Sequence, residues 1–84
     1  MTKDVTFHLL CSAEPGMLTR CLAPFAKRDL VPDIMNARRE GDVLRVTLGM
    51  QAMPEGEVHL VEGNLRQIIG VLELSRRESL RAAA

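Results

Sequence analysis

Tryptophan and tyrosine are absent from these 84 residues and phenylalanine occurs only twice, so the chain has almost no rings on which nucleobases stack. Net charge is missing as well. Eleven Lys and Arg against 11 Asp and Glu leave a formal charge of zero, with no field to draw a polyanion. Nucleic acid is therefore not an expected partner. The longest uninterrupted apolar stretch, around Ile68 to Leu72 with Gly70 inside it, falls far short of the roughly 20 residues that span a bilayer. Met1-Thr2-Lys3-Asp4-Val5 opens without the long apolar region of a secretory signal. The expected location is the cytoplasm, with no membrane contact.

Cysteine is scarce too. Cys11 and Cys21 stand ten positions apart, which is neither the Cys-x-x-Cys spacing of redox and metal sites nor a disulfide framework, and they read as reduced, buried thiols. No His-x-x-x-His occurs, and Met17, Met35, Met50 and Met53 are spaced as core filler or a plastic interface. Neither a metal nor a cofactor is expected. What remains is ordinary for a folded chain, 46% apolar and 26% charged. Its length allows one domain.

Val5, Phe7, Leu9 and Cys11 recur with period two and predict a first strand, with Thr6, His8 and Leu10 on its other face. Ser12-Ala13-Glu14-Pro15-Gly16 stops the alternation and predicts a helix start, Pro15 falling where a first turn has no N–H to lose. Leu18, Cys21, Leu22 and Phe25 then give a helical stripe, which Pro24 should kink or shorten. Val31 to Glu40 opens with Pro32 and reads as an edge strand. Gly41-Asp42 marks a hairpin turn, and Leu44, Val46, Leu48 and Met50 alternate cleanly after it. Ala52 to Gly56 punctuates that strand; Val58, Val61 and Leu65 predict a second helix with Glu55 and Glu57 at its start. Ile68 to Leu74 predicts the last strand, and residues from Arg76 onward a solvated tail.

The order β-α-β-β-α-β, with right-handed crossovers joined by a hairpin, predicts an α+β ferredoxin-like sandwich: a four-stranded antiparallel sheet with two helices on one face. The other face should show Thr6, His8, Leu10, Arg45, Thr47 and either Ile34 or Met35. So small a domain gains by covering such a face, and a homodimer is expected.

No catalytic constellation is legible. His8 and His59 are the only imidazoles, and neither has a Ser, Cys or carboxylate at a spacing that suggests a triad. The junction from Cys11 to Met17 is different. Gly16 lacks a Cβ, so a ligand can approach the backbone, and first-turn N–H groups there carry partial positive charge. A carboxylate can dock at such a turn, although Pro15-Gly16 also suits a turn with no further role.

The run Glu14-Pro15-Gly16-Met17-Leu18-Thr19-Arg20, then Phe25-Ala26-Lys27-Arg28-Asp29-Leu30 on this frame, resembles the ACT domain, a small amino-acid-sensing module. Leu18-x-Arg20-x-Leu22 followed by Phe25, Arg28 and Met35-Asn36 is most similar to the small regulatory subunit of acetolactate synthase. The resemblance spans about Asp4 to Arg76, leaving 77–84 as the tail, and concentrates in residues 14 to 36. It implies a non-catalytic subunit that dimerises, binds a larger thiamine-diphosphate enzyme of branched-chain amino-acid biosynthesis, and senses a branched-chain amino acid. The implied ligand residues are Ala13, Glu14, Pro15, Gly16, Met17, Leu18 and Val31. Ligand-binding members carry Asn in the first loop and at the start of the second strand, where this chain has Ala13 and Val31. Neither side chain can hydrogen-bond an amino acid, so activation with weak or absent feedback sensing is expected. Two alternatives stand beside this reading. One is a stand-alone sensor of a small ligand held between subunits. The other is an enzyme resembling acylphosphatase, which needs an Arg in the first loop, where this chain offers Glu14, and a strand Asn, where Asn36 lacks suitable neighbours.

Overall fold

The computed structural model describes residues 1–80. Its elements run β1 (Thr2–Ser12), α1 (Met17–Ala26), β2 (Ile34–Glu40), β3 (Val43–Pro54), α2 (Glu55–Arg66) and β4 (Val71–Leu80). The strands form one sheet in the order β2-β3-β1-β4 with every neighbouring pair antiparallel. This is the ferredoxin-like sandwich that the alternation and stripe patterns predict.

The period-two rows decide which face the helices cover. Val5, Phe7, Leu9 and Cys11 of β1 are buried together with Val46, Leu48, Met50 and Met53 of β3, against Met17, Cys21 and Phe25 of α1 and Val58, Val61 and Leu65 of α2. Phe7 and Phe25 meet edge to face with ring centroids 5.9 Å apart, a geometry that adds roughly 0.5–1.5 kcal/mol to their burial. No polar or charged side chain among the described residues is buried.

Register settles the opposite face. Phe7 pairs with Leu48 and Leu48 with Met35, whereas Thr6 pairs with Gly49 and Gly49 with Ile34. Since directly opposed residues share a face, Ile34 lies with Thr6, His8, Leu10, Arg45 and Thr47 away from the helices. Met35 is on the helix side, yet the helices do not reach it, and all seven residues of β2 are exposed.

Strand β2 starts at Ile34 and not at Val31, and three further elements depart from expectation. In α1 the buried stripe is Met17, Cys21, Pro24 and Phe25 while Leu18 is exposed, because the helix begins after Gly16 and that start sets its rotation. Pro24 sits inside the helix without ending it. The helix stops at a left-handed residue, Asp29 (φ 56), where the Leu30 N–H reaches back to the Phe25 carbonyl at 2.9 Å, the geometry of a helix C-terminal motif. Strand β3 runs on through Ala52 to Pro54 instead of stopping at Gln51. A bulge opposite Lys3 to Val5 absorbs the irregular residues, with Ala52 at φ 53 and its N–H held by Asp4 Oδ1 at 3.0 Å. Asp33 Oδ2 takes the Gln51 N–H at 2.6 Å.

The last departure is β4. Ile68 and Ile69 belong to a turn closed by Gly70 (φ 104), and the strand starts at Val71 and continues to Leu80. Residues 77–80, expected as solvated tail, pair with β1 out to Lys3; the rest of that expected tail, 81–84, lies outside the described residues. Ion pairs replace apolar alternation there. Lys3 Nζ is 2.7 Å from Glu78, and Arg76 bridges Glu62 at 2.8 Å and Glu78 at 3.1 Å.

Candidate functional site

Four residues, Ala13 to Gly16, join β1 to α1, and two backbone bonds pin them to other connections. The Ser12 N–H donates to the Gly70 carbonyl at 2.8 Å and the Ala13 N–H to the Asp42 carbonyl at 2.9 Å. Within the turn, the Glu14 N–H reaches the Ser12 carbonyl at 2.9 Å, the Met17 N–H the Glu14 carbonyl at 3.1 Å, and the Arg20 N–H the Gly16 carbonyl at 3.0 Å. Gly16 caps the helix at φ 80, ψ −1, a left-handed conformation that L-residues avoid. A Cβ built there would meet nothing within 4 Å. Conformation, and not crowding, demands the glycine, and the space above it is open.

No side chain caps α1 and no acidic residue lies in its first turn. Among the described residues, no backbone carbonyl outside the helix accepts from the N–H of Gly16, Leu18 or Thr19. Such first-turn donors concentrate the positive end of the helix dipole. An anionic oxygen is what this arrangement can hold.

The structure gathers most of the expected ligand residues but not all. Ala13, Glu14, Pro15 and Gly16 lie on the turn and Leu18 is 38% exposed beside it. Met17 is different: its side chain is fully buried, and a Cβ on Gly70 would overlap its terminal methyl group, so it serves the core. Val31, 78% exposed, is remote within one chain. The Asp33 N–H bonds the Gly49 carbonyl at 2.8 Å and Gly49 pairs with Thr6, whereas the turn follows Ser12, paired with Val43. Six residues of strand, roughly 20 Å, separate those two ends of the sheet.

Three neighbours of the turn went unread in the sequence. Asp42 and Gly70 supply carbonyls, and Arg20 reaches across so that Nη1 donates to the Ile69 carbonyl at 3.3 Å, with Nη2 3.9 Å from Glu14. Gly70 inside an apolar run was the available signal, since such a glycine often marks a turn.

Elsewhere the reactive groups stay apart. His8 Nδ1 lies 3.5 Å from Thr47 Oγ1 at a shallow hollow of about 270 Å³ on the open sheet face. Among the described residues, no group of three or more His, Cys, Asp or Glu gathers to hold a metal. Cys11 and Cys21 are free and fully buried with Sγ atoms 4.0 Å apart. Burial pushes the Cys21 thiol up to about 12, with the neighbouring Cys11 adding to it, and burial raises Cys11 as well.

The sequence profile of the ACT-like domain family matches residues 1–83. The chain belongs to that family. ACT domains are regulatory, small-ligand-binding domains, and the open turn of this ACT-like chain is compatible with that role. Its fold is shared with the crystal structure of the ACT domain from GTP pyrophosphokinase of Chlorobium tepidum at a TM-score of 0.77 and 13% identity, covering 92% of this chain and 100% of that one. The solution structure of the same Chlorobium domain gives 0.75 at 15% identity over 99% and 96%. The C-terminal domain of the MgtC protein from Mycobacterium tuberculosis gives 0.70 at 12% identity over 99% and 94%. Identities this low establish common architecture alone. No curated protein matches the chain. No described helix is long and apolar enough to cross a membrane.

Proposed function

We propose that this ACT-like chain is a non-catalytic regulatory subunit that pairs with a second copy and offers the Gly16 turn to a small carboxylate at their junction. The observation that carries the reading is the turn itself, an open left-handed glycine beside the Leu18 and Thr19 N–H groups, which among the described residues donate to no backbone carbonyl outside the helix. Strand β2 supports the pairing, being an edge strand exposed along its whole length and so a ready template for a further strand. Antiparallel β2-to-β2 pairing has a useful consequence. It carries Val31 of the partner subunit to the Glu40 end of β2, the same end as Asp42 and the turn, so a site that one chain leaves divided is completed by two.

The residue pattern from Glu14 to Asn36 supports a finer reading: a cytoplasmic subunit that assembles with and activates a larger thiamine-diphosphate enzyme of the acetolactate synthase type. Feedback sensing is then weak, because Ala13 and Val31 offer no hydrogen bond to an ammonium or carboxylate. Two absent bonds at roughly 0.5–1.5 kcal/mol each, and more when charged, move a micromolar site toward millimolar.

Sedimentation analysis of the purified chain should give twice the 9.3 kDa chain mass, and titration with valine, leucine and isoleucine should shift amide resonances of residues 13–18 with a Kd weaker than ~0.1 mM. A monomer throughout, or shifts confined to other residues, overturns the site. Co-purification from native cells tests the partner: recovery of the homodimer alone would leave a stand-alone sensor.

A further inference from the structure

A second concavity includes none of residues 13–18 and meets the surroundings of the Gly16 turn only at Arg20. It is a groove of about 480 Å³ between α1 and the end of α2. Ala23, Pro24, Asn64, Gln67, Ile68 and Ile69 line it together with Arg20 and Lys27. Each charged lining group is cationic, in a chain whose formal charge is zero.

We infer that this groove docks a helix of a partner protein that carries two carboxylates two turns apart with aliphatic side chains between them. Arg20, Ala23, Pro24 and Lys27 fall at i, i+3, i+4 and i+7 of α1, with Lys27 keeping helical geometry as the C-cap. The two cations are therefore separated by a rise of roughly 10 Å. A helix lying alongside repeats that rise between its own residues i and i+7, and its i+3 and i+4 side chains then fall on Ala23, Pro24 and Ile68. Lys27 has no ion pair among the described residues, and Arg20 meets only Glu14, at 3.9 Å, beyond hydrogen-bond reach. The Ile69 carbonyl holds the guanidinium in place at 3.3 Å without neutralising it.

A second copy of the chain does not supply the occupant. Its helical carboxylates at this spacing, Glu55 and Glu62, already face Lys3 at 3.4 Å, Arg66 at 3.2 Å and Arg76 at 2.8 Å. The groove thus goes beyond the ligand site and dimer edge proposed above and stands independently of both.

The test uses the full chain and a fluorescein-labelled amphipathic peptide with Glu at i and i+7 and Leu at i+3 and i+4, followed by anisotropy at low salt. Binding should weaken at least tenfold for Lys27→Glu, and as much when both Glu of the peptide become Lys. Amide shifts on binding should centre on Ala23, Lys27, Asn64 and Gln67. Lys27 is exposed and has no ion pair among the described residues, so its variant should fold; Arg20→Gln provides a second arm that retains donors near the Ile69 carbonyl. Equal affinity for the acidic and basic peptides, no binding of the acidic one, or shifts centred on residues 13–18 would each overturn the inference. Valine titration of Lys27→Glu should be unchanged, so failure of the groove and failure of the turn read out separately.

Discussion

Replacing Gly16 by alanine isolates a single physical term. The backbone there is at φ 80 and an added Cβ touches nothing within 4 Å, so the substitution adds strain without adding a clash. Holding an L-residue in the left-handed region costs roughly 1–2 kcal/mol, and the stiffer unfolded chain offsets about 0.4–1 kcal/mol of that. The backbone can escape by leaving the region, but it then loses the geometry of the Met17-to-Glu14 and Arg20-to-Gly16 bonds, each contributing roughly 0.5–1.5 kcal/mol. Either route destabilises by about 1 kcal/mol, which lowers Tm by about 4–8 °C in a domain of this size. With no Trp or Tyr to report, urea titration followed by far-ultraviolet circular dichroism is the assay, and the midpoint should fall while m stays constant. Gly16→Asn should recover most of the loss, since Asn tolerates the left-handed region and caps helices. An alanine variant as stable as the parent, or an Asn variant no better than alanine, would refute the reasoning.

Gly70→Ala should cost at least as much as Gly16→Ala in the same titration, because a φ of 104 alone costs an L-residue roughly 1–2 kcal/mol and the Met17 methyl group must also swing aside. Ala52→Gly should raise Tm by a few degrees: φ 53 is relieved by roughly 1–2 kcal/mol, partly offset by a freer unfolded chain. The buried thiols make stability fall in alkali. A thiol whose folded pKa is raised, from 9.0 to about 12 at Cys21, contributes stability that is complete below its unfolded pKa and lost as pH climbs toward the folded one. Unfolding free energy measured between pH 8 and 10.5 should therefore decline less in Cys21→Ala than in the parent, and native protein at pH 8 should react with a thiol reagent only as fast as it opens.

Most of the frame was legible because burial writes itself as periodicity. Val5 to Cys11 and Leu44 to Met50 each face a core on one side, and their alternation gives both strand and face. The second helix was equally clear from Val58, Val61 and Leu65. Elements held by other forces were not. Residues 76–80 form a strand through ladder bonds and the Lys3, Glu62, Arg76 and Glu78 ion pairs, none of which leaves an apolar pattern. The rotation of α1 was missed by one residue because both Met17 and Leu18 fit a stripe, and only the conformation of Gly16 selects Met17. For the candidate site, the glycine bend and its sequence neighbours were readable, whereas Asp42, Gly70 and Arg20 join it through tertiary contacts. Val31 lies at the other end of the sheet from the bend, a separation that depends on the strand register and so leaves no local signal.

The bend is moored at two points, Ser12 to Gly70 and Ala13 to Asp42, one on the approach to β4 and the other on the tip linking β2 to β3. Any displacement of it must either snap a mooring or drag both of those distant corners along. A visitor weighing only a few hundred daltons, were it to settle on that one small bend, would thereby gain mechanical purchase on both outer margins of the sheet.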